Sequence, residues 1–450
     1  MRAVESVSIA PKNRQTIHTS LLFDSKSKSW SRDISLVVSL KTGNIVSTFH
    51  RDGQTEIALD DIDLRGLTVI PGLVDAHTHI FLHSYDETPS INQERDESEV
   101  ERILRASNHL KAALKAGYTT YRDLGTEGMR DLDTGVRNAV NRGIIPGPRL
   151  FVATEALASP GGYEVRIESK DQGTTTGRIS DPCSGVDGVQ AAVRRRLGAG
   201  ADLIKFYSAY RQRSLRFPPA AWPGALPIQH PPGQVEDDED EGGDALFANE
   251  ADPPTPLFTL EEMKAIVATA KRSKCPVAAH TTGPEMVIEA AKAGVTTVEH
   301  GYRRSKESIK ALKENGTIYV PTLAVAEELS PKLLNEALEQ VYDAWNSGVR
   351  MACGGDTGAF NHGENLKELL LFERAGIPLE AVLEAATMGG WEACGGDWCG
   401  RRFGSLEKGW AADLVAIKGD PRNGGIKCLW NPEWVIKDGK VVVEEAKLVV

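Results

Sequence analysis

Four histidines and one aspartate are the residues of this chain best suited to metal chemistry. His77 and His79 lie two positions apart, so on a strand both side chains would point to the same face and reach one ion. His280, His300 and Asp356 each come at the end of a predicted strand. Imidazole and carboxylate groups bind zinc and related divalent ions. Taken alone, His77 and His79 could instead be a hydrogen-bonded pair. Together with His280, His300 and Asp356 they predict a metal site.

Lys205 lies between Ile204 and Phe206, in a strand-like run where a buried ammonium group is disfavoured. One interpretation is a salt bridge, or a side chain whose amine extends to solvent. The other is a neutral amine that has reacted with carbon dioxide. Such a carbamate would be an anionic bridge between two metal ions, which at a separation of about 3.5–4 Å can share a hydroxide. We favour the carbamate because of the position of Lys205 among the predicted ligands.

Several polar residues lie near the predicted ligands, or near another strand end, in the sequence, so we expect their side chains at the rim of the site, where they could contact a substrate. As hydrogen-bonding groups for an oxyanion or a substrate carboxylate we consider Tyr302, His362, His83, Tyr85, Tyr207, Tyr210 and Arg122. Tyr302 and His362 are favoured because they follow ligand-bearing strands. Arg122 could bind a carboxylate in a bidentate manner, or form an ion pair with Asp123 or Glu127. Each of these residues could instead be an ordinary packing residue of the rim.

The elements that must position these residues begin at Pro71, where strand-like runs start to alternate with helical patterns. The predicted strands cover residues 73–77, 119–124, 149–153, 203–207, 276–280, 296–300, 317–321 and 350–356. The predicted helices include residues 100–116, 186–197, 260–271, 284–293 and 305–314, and Gly117, Gly294 and Gly316 follow three of them as expected C-caps. Eight such units predict an α/β fold with a (β/α)8 TIM barrel. Five of the strands carry a metal-capable or titratable group, and their carboxyl ends converge on one face.

Both ends of the chain have the texture of short strands and turns. Residues 17–23, 34–40, 45–50 and 67–70 precede the barrel, and residues 414–417, 434–437 and 441–443 follow it. We therefore expect one small β-sandwich domain built from residues 1–70 and 401–450, beside a barrel over residues 71–400. The composition of residues 211–256 predicts an acidic, proline-rich insertion. It could be functional, as a lid or a partner-binding tail. It could also be a solvated loop without a function, or an unspliced intron in the gene model.

Composition limits the class of protein further. The chain has 450 residues and no apolar run of the ~18 residues that a membrane span needs, so we expect no membrane association. Residues 1–14 contain no apolar signal core, and the six scattered cysteines suit free thiols in the cytoplasm, although Cys394 and Cys399 could form a disulfide or a minor metal site. The sequence leaves the oligomeric state open, with a homo-oligomer as one option.

The negative charge of the chain is concentrated in one segment. Residues 236–252 contain nine acidic residues and no lysine or arginine, so they account for most of the net charge of −11. The remainder is nearly neutral, which predicts a small-molecule substrate and no nucleic-acid partner.

Taken together, the motifs resemble those of the amidohydrolase superfamily from about residue 67 to the end of the chain, the insertion excepted. The matching segments are Pro-Gly-Leu-Val-Asp-Ala-His-Thr-His at 71–79, Lys205, Ala-His-Thr at 279–281, Val-Glu-His-Gly at 298–301 and Gly-Gly-Asp-Thr-Gly at 354–358. The chain is most similar to binuclear members with a carboxylated lysine, such as metallo-dipeptidases, Xaa-Pro and Xaa-Arg carboxypeptidases and ochratoxinase-like amidases. Residues 205–210 depart from the Met-Ala-Ser/Thr-Gly-Gly stretch of the dipeptidases, so their specificity is not carried over.

The resemblance implies two divalent metal ions, with zinc expected, and carbon dioxide to carboxylate the lysine. It assigns one ion to His77, His79 and Asp356, the other to His280 and His300, and the bridging position to Lys205. It also implies a metal-bridging hydroxide as nucleophile, with Asp356 accepting its proton and passing it to the leaving amine.

We therefore predict hydrolysis of an amide or peptide-like C–N bond in a dipeptide, an N-acyl amino acid or a cyclic amide. One alternative is a mononuclear deaminase or an imidazolonepropionase-like cyclic-amidine hydrolase, a class that usually lacks the lysine of the fourth strand. A lactonase or phosphotriesterase-like enzyme would share the metal chemistry and differ only in its pocket. A catalytically silent scaffold is a further alternative, against which all six candidate ligands are present.

Overall fold

A computed structural model describes residues 13–53, 55–160, 162, 168–169, 174–175, 178–212 and 254–450. The predicted insertion over residues 211–256 lies outside the described residues, except at 211–212 and 254–256. The described chain has a mixed α/β architecture in which parallel strands alternate with helices in the centre and antiparallel strands predominate at the two ends.

Two parallel sheets carry the strands of the central region. The first contains Leu73–Thr78, Tyr118–Asp123 and Arg149–Val152. The second contains, in spatial order, Ser180–Pro182, Ala156–Ala158, Ile204–Tyr207, Val277–Thr281, Thr297–His300 and Ile318–Val320. The first seven strands predicted from the sequence each overlap one of these strands, because their apolar runs pack under the surrounding helices.

The eighth predicted strand, at residues 350–356, is wrong as a regular strand. Only isolated parallel bridges are present, from Met351 to Tyr319 and from Thr357 to Thr78. The physical reason is a close approach to the first strand, since a Cβ atom on Gly354 would lie 2.6 Å from the backbone nitrogen of His77. The glycine-rich segment therefore links the edge strands of the two parallel sheets without a continuous ladder.

The helices named in the sequence analysis form within two residues of their predicted bounds, and the central region contains further helices, such as Leu132–Asn141 and Leu334–Asn346, that were not predicted. The bounds of the helices are Ser90–Asp96, Glu99–Lys115, Leu132–Asn141, Val186–Ala199, Leu260–Lys271, Pro284–Ala293, Lys306–Asn315, Leu323–Leu329, Leu334–Asn346, Leu366–Arg374, Leu379–Glu384 and Gly390–Ala393, with a π-helical turn at Ala385–Gly389, a short helix at Pro421–Gly424, and 3-10 turns at Pro331–Leu333, Gly396–Cys399 and Ile426–Leu429. Gly294 and Gly316 cap two helices in the left-handed conformation, as predicted. None of the helices in the described ranges has the length and apolar character needed to cross a bilayer.

Strands from both ends of the chain form a single nine-stranded sheet. In spatial order it contains Lys447–Leu448, Lys440–Glu444, Trp434–Lys437, Leu414–Ile417, Ile62–Pro71, Arg14–Asp24, Ile34–Ser39 and Ile45–His50, with Ser29–Arg32 paired to Arg14–Asp24. Most of its buried side chains are apolar, among them Ile17, Leu36 and Leu414. One residue, Gly72, separates Ile62–Pro71 from the first parallel strand, Leu73–Thr78, so this sheet holds the start of that strand in place.

Two short antiparallel pairs, Ala209–Gln212 with Pro254–Pro256 and Glu168–Ser169 with Thr174–Thr175, complete the described strands. All six cysteines are free thiols, as predicted, so no disulfide contributes to the fold.

Candidate metal centre

The predicted ligands converge at the carboxyl ends of the parallel strands. Ligand atoms of His77, His300 and Asp356 lie within 4.8 Å of one another. Asp356 Oδ1 is 3.6 Å from His77 Nε2 and 3.2 Å from His79 Nε2. The ring of His280 lies 4.3 Å from that of His300 between centroids. These side chains line a cavity of about 650 Å³, which is large enough for a small organic molecule.

Three of the histidines are oriented by a partner on Nδ1, which leaves Nε2 directed at Asp356 or the neighbouring rings. His77 Nδ1 is 2.8 Å from a Glu299 carboxylate oxygen, and His79 Nδ1 is 2.8 Å from the backbone oxygen of Gly125. His300 Nδ1 is 2.8 Å from the Thr322 hydroxyl. Metal-ligating histidines are held in this way, so the donor set fits a divalent ion.

Burial and neighbouring charges together set the protonation of these histidines in the metal-free protein. Burial and the charge of Lys205 lower the pKa of His77 to about 4, and burial also lowers the pKa of His280 and His300 well below the usual range. Burial alone would lower the pKa of His79, but its hydrogen bond to Asp356 and the charge of that carboxylate outweigh this and raise it to about 9. Three neutral imidazoles with free lone pairs suit metal binding directly, whereas an ion bound by His79 must displace a proton.

Lys205 lines the same cavity and is only 2% exposed. Burial lowers the pKa of Lys205 to about 8, so more of the amine is neutral near physiological pH than in an exposed lysine. Its Nζ atom lies 5.9 Å from the centre of the Tyr207 ring, which lies beside His280. A neutral amine at this position has the chemistry that carboxylation requires.

Left-handed backbone conformations accumulate around the centre. His300 has φ 67°, Thr322 has φ 52° and Asp356 has φ 62°, although none of them is glycine. Such conformations cost about 1–3 kcal/mol each and persist where the surrounding structure enforces them. At His300 the turn also interrupts the alternation of the strand, so Glu299 and His300 both serve the centre although they are adjacent.

The predicted substrate-binding residues divide into two groups. Tyr85, Tyr207 and Tyr210 line the cavity. Tyr302 is not among its lining residues, and its hydroxyl instead lies 2.8 Å from the Thr322 hydroxyl, behind His300.

His83 and His362 are also held away from the cavity by other partners. His83 lies between two carboxylates, with Nε2 2.7 Å from Glu97 and Nδ1 3.1 Å from Glu87. His362 stacks on His109 and has Nε2 3.1 Å from the backbone oxygen of Leu82. Their predicted contact with substrate therefore has no support from their positions, because sequence spacing after a strand does not determine which way a loop side chain turns.

The position of Arg122 corrects its predicted role as a substrate clamp. Arg122 is fully buried, is not a lining residue of the cavity, and donates to a Glu299 carboxylate oxygen at 2.8 Å. It also donates to the backbone oxygens of Ala76 and Ala393. Burial would raise the pKa of Glu299, but the charge of Arg122 and the hydrogen bond from His77 outweigh it and lower that pKa to about 2.

Two acidic residues that matter to the centre were not predicted. Asp75 accepts hydrogen bonds from the Thr357 hydroxyl at 2.8 Å and the Asn365 amide at 2.6 Å, which tie the Asp356 segment to the first strand. Glu299 supports His77 as described above. The signal for Asp75 was its position two residues before His77, on the same strand face. No comparable signal indicated Glu299. Adjacent side chains on a strand normally point to opposite faces, so Glu299 would be expected to point away from the site that His300 faces.

The wall of the cavity also includes Glu127, a third residue that sequence reasoning did not place there. The Tyr207 hydroxyl lies 3.3 Å from Glu127 Oε1, and the backbone oxygen of Glu127 accepts from Arg102 at 2.8 Å. Glu127 lies four residues after the end of the strand Tyr118–Asp123 and has φ 47°. No pattern in the sequence indicated that its side chain would reach the cavity.

The model of the Amidohydrolase family matches residues 68–221 and 230–442. The chain belongs to the amidohydrolase family. It is therefore a hydrolase that acts on carbon–nitrogen bonds and, in general terms, a metal-dependent amide hydrolase.

Within the amidohydrolase family, three relatives indicate the range of similar proteins. Ochratoxinase from Aspergillus niger is 27% identical over 409 residues, which cover 83% of this chain and 75% of the relative. The crystal structure of a Xaa-Pro dipeptidase with bound methionine in the active site matches with a TM-score of 0.74 and 29% identity, covering 95% of this chain and 99% of that one. Imidazolonepropionase from Clostridium tetani is 29% identical over 209 residues, which cover only 42% of this chain and 45% of the relative.

Proposed function

We propose that this protein is a binuclear hydrolase that cleaves an amide or peptide-like C–N bond of a small molecule. The substrate would be a dipeptide, an N-acyl amino acid or a cyclic amide, and the metal would be zinc. The observation that carries the proposal is the convergence of four histidines, Asp356 and a buried Lys205 on one cavity. Six potential ligands are more than one tetrahedral zinc ion needs, which favours two ions.

The roles of the side chains follow from their positions. His77, His79 and Asp356 would hold one ion, His280 and His300 the other, with carboxylated Lys205 between them. The ions, when bound, supply acidification of a water molecule and polarisation of the scissile carbonyl. Asp356 would accept the proton of the attacking water on a carboxylate oxygen and return it to the leaving nitrogen. The phenols of Tyr85, Tyr207 and Tyr210 on the cavity wall would orient the substrate.

We also propose that the two parallel sheets close into the expected (β/α)8 barrel. The chain passes directly from Arg149–Val152 in one sheet to Ala156–Ala158 in the other. On the opposite side, the bridges of Met351 and Thr357 connect the edge strands. Closure would explain why side chains from four separate strands and from the segment that carries Asp356 meet at one end.

The relatives support the type of bond that we propose is cleaved, and Lys205 supports a binuclear over a mononuclear enzyme. The ochratoxinase and Xaa-Pro dipeptidase matches cover most of this chain, which supports an amide or peptide-like bond. The imidazolonepropionase match covers less than half of it and represents the mononuclear alternative. Lys205 inside the cavity favours the binuclear enzyme.

The experiment that tests this proposal is elemental analysis of the metal bound per chain, in wild type, Lys205→Ala and the control Lys292→Ala. Lys292 is exposed on the helix Pro284–Ala293, so its replacement alters charge without touching the cavity. We expect about two metal ions in the wild type and the control, and a loss in Lys205→Ala. Reconstitution of metal-free wild type with zinc should also be slower in buffer freed of carbon dioxide than in bicarbonate.

A panel of dipeptides, N-acyl amino acids and an imidazolone substrate then identifies the bond that is cleaved. Turnover of the first two classes supports the proposal. A single ion that is unaffected by Lys205→Ala, together with turnover of the imidazolone alone, would replace it with the mononuclear hydrolase.

A further inference from the structure

We propose that Glu299 is a positioning residue of the metal centre, which together with Arg122 fixes the ring plane and tautomer of His77 so that Nε2 remains available to the metal. The inference rests on the proposed metal-dependent function and goes beyond it, because Glu299 would itself bind neither metal nor substrate.

Both carboxylate oxygens of Glu299 are already occupied by protein groups. Oε2 accepts from His77 Nδ1 at 2.8 Å. Oε1 accepts from Arg122 Nη2 at 2.8 Å and from the Thr297 hydroxyl. Glu299 and Arg122 are fully buried, and neither lines the cavity. Glu299 is therefore placed to act on the centre through His77 alone.

The charge of Arg122 matters because it determines which partner carries the hydrogen. An ionised carboxylate can only accept, so His77 must carry its hydrogen on Nδ1 and keep the lone pair of Nε2. A neutral carboxyl group could donate to Nδ1 instead, and the hydrogen would then sit on Nε2 and face the metal position. Arg122 stabilises the ionised form of Glu299 and so excludes this second arrangement.

Arg122 is itself held rigidly between elements of the fold. Its guanidinium group donates to the Thr297 hydroxyl at 3.0 Å and to the Ala393 oxygen at 3.2 Å, in addition to the Ala76 oxygen. Ala76 directly precedes His77 in the first strand. The same arginine therefore fixes both the backbone and, through Glu299, the ring of His77.

His77 differs in this respect from the other two histidines whose Nδ1 partners are described. His79 uses a backbone oxygen and His300 a hydroxyl group, whereas His77 uses a carboxylate. A carboxylate partner raises the basicity of the imidazole more strongly than a neutral one, and loss of such partners typically lowers metal affinity about 10–100-fold.

Glu299→Gln is the decisive substitution, because it retains the shape and removes the charge. In this variant Arg122 would bind the amide oxygen, so the amide nitrogen would donate to His77 Nδ1 and reverse the hydrogen bond. The hydrogen of His77 would move to Nε2. Glu299→Gln with Arg122→Met would allow the amide to turn and present its oxygen to His77, and should recover part of the affinity.

The test measures zinc affinity by chelator competition and the tautomer of His77 by 15N NMR of the metal-free protein, with the His77→Asn spectrum as assignment. Glu384→Gln is the matched control, because Glu384 is also a buried glutamate paired with an arginine, Arg350, outside the centre. We expect an affinity loss of about 10–100-fold in Glu299→Gln, hydrogen on Nε2 of His77, and unchanged affinity in Glu384→Gln.

The contrary results are equally specific. Unchanged zinc affinity in a folded Glu299→Gln protein, with the hydrogen of His77 still on Nδ1, would overturn the inference. If Glu299→Gln fails to fold, the wild-type spectrum decides, since hydrogen on Nε2 of metal-free His77 would also overturn it. A wild type that binds no metal but carries hydrogen on Nδ1 would contradict the proposed function and leave the role of Glu299 in orienting His77 supported.

Discussion

Around the candidate metal centre, buried positions of the parallel strands hold side chains that can ionise, such as Asp75, Lys205 and Glu299. In the nine-stranded sheet most buried positions hold apolar groups such as Leu36 and Ile436, and its few buried polar groups include His18 and Ser35, which are hydrogen-bonded to each other. A buried charge is tolerated only when paired and hydrogen-bonded, while an aliphatic group is stabilised by burial itself. The difference indicates that the first region is organised for chemistry and the second for stability.

The backbones of the two regions differ in the same way. Left-handed residues at the centre include His300 and Asp356, which are surrounded by other side chains, whereas those of the sheet, such as Lys28 and Asp438, lie in turns between strands. Strain in a turn is ordinary and is easily accommodated. Strain around buried ligands must be supported by the packing of the whole region, as expected where geometry serves a function.

The largest effect is expected from Asp356→Asn at the centre. Asparagine tolerates the left-handed conformation, so the variant should fold, but it cannot accept a proton. We expect kcat to fall about 10²–10⁴-fold at saturating zinc, measured on a substrate found in the panel, with metal content recorded in parallel. Activity within tenfold of wild type, with full metal occupancy, would exclude Asp356 as the proton acceptor.

Leu414→Ala tests the other side of the comparison. Leu414 is 1% exposed in the core of the sheet, so the substitution should cost about 2–5 kcal/mol of unfolding free energy. Urea unfolding measures that loss, and kcat at saturating zinc should remain close to wild type under native conditions. Lys440→Ala, at an exposed position of the same sheet, is the control. A selective loss of kcat with normal stability would show that the two regions are not separable.

Thr322 allows strain and ligand support to be separated at a single position. Thr322→Val keeps the β-branched shape and removes the hydroxyl beside His300 Nδ1, so zinc affinity should fall about 10–100-fold. Thr322→Ser keeps the hydroxyl and relieves the branched side chain in a left-handed conformation, so affinity should be retained and stability unchanged or raised by less than about 1 kcal/mol. Equal affinities in the two variants would remove Thr322 from the support of His300.

The smallest effect is expected where a charge is exposed and the backbone is regular. Lys310 and Glu314 form an ion pair at 3.8 Å on the surface of the helix Lys306–Asn315. Lys310→Ala should change the unfolding free energy by no more than about 0.5 kcal/mol and leave metal content unaltered. A larger change would mean that exposed charges contribute to this fold as buried ones do.

Local pattern in the sequence was sufficient to predict most of the parallel strands and to identify the groups that we propose as metal ligands. Side-chain alternation and apolar runs placed seven of the parallel strands, and strands such as Leu414–Ile417 and Trp434–Lys437 have the predicted bounds. The histidines could be recognised because each lies at a strand end, and the ends of parallel strands meet on one face. These features depend on residues that are near each other in the chain.

Tertiary structure decided the features that depend on distant residues. Arg122 and Glu299 are 177 positions apart, and His77 and Glu299 are 222 apart, so no local pattern could pair them. Close approach of Gly354 to the first strand turned the predicted eighth strand into isolated bridges. The sequence by itself determined which groups could bind metal, because residue type and strand period are local properties. Only the packed fold decided which groups hold those ligands in place, because that role depends on which side chains meet across the interior.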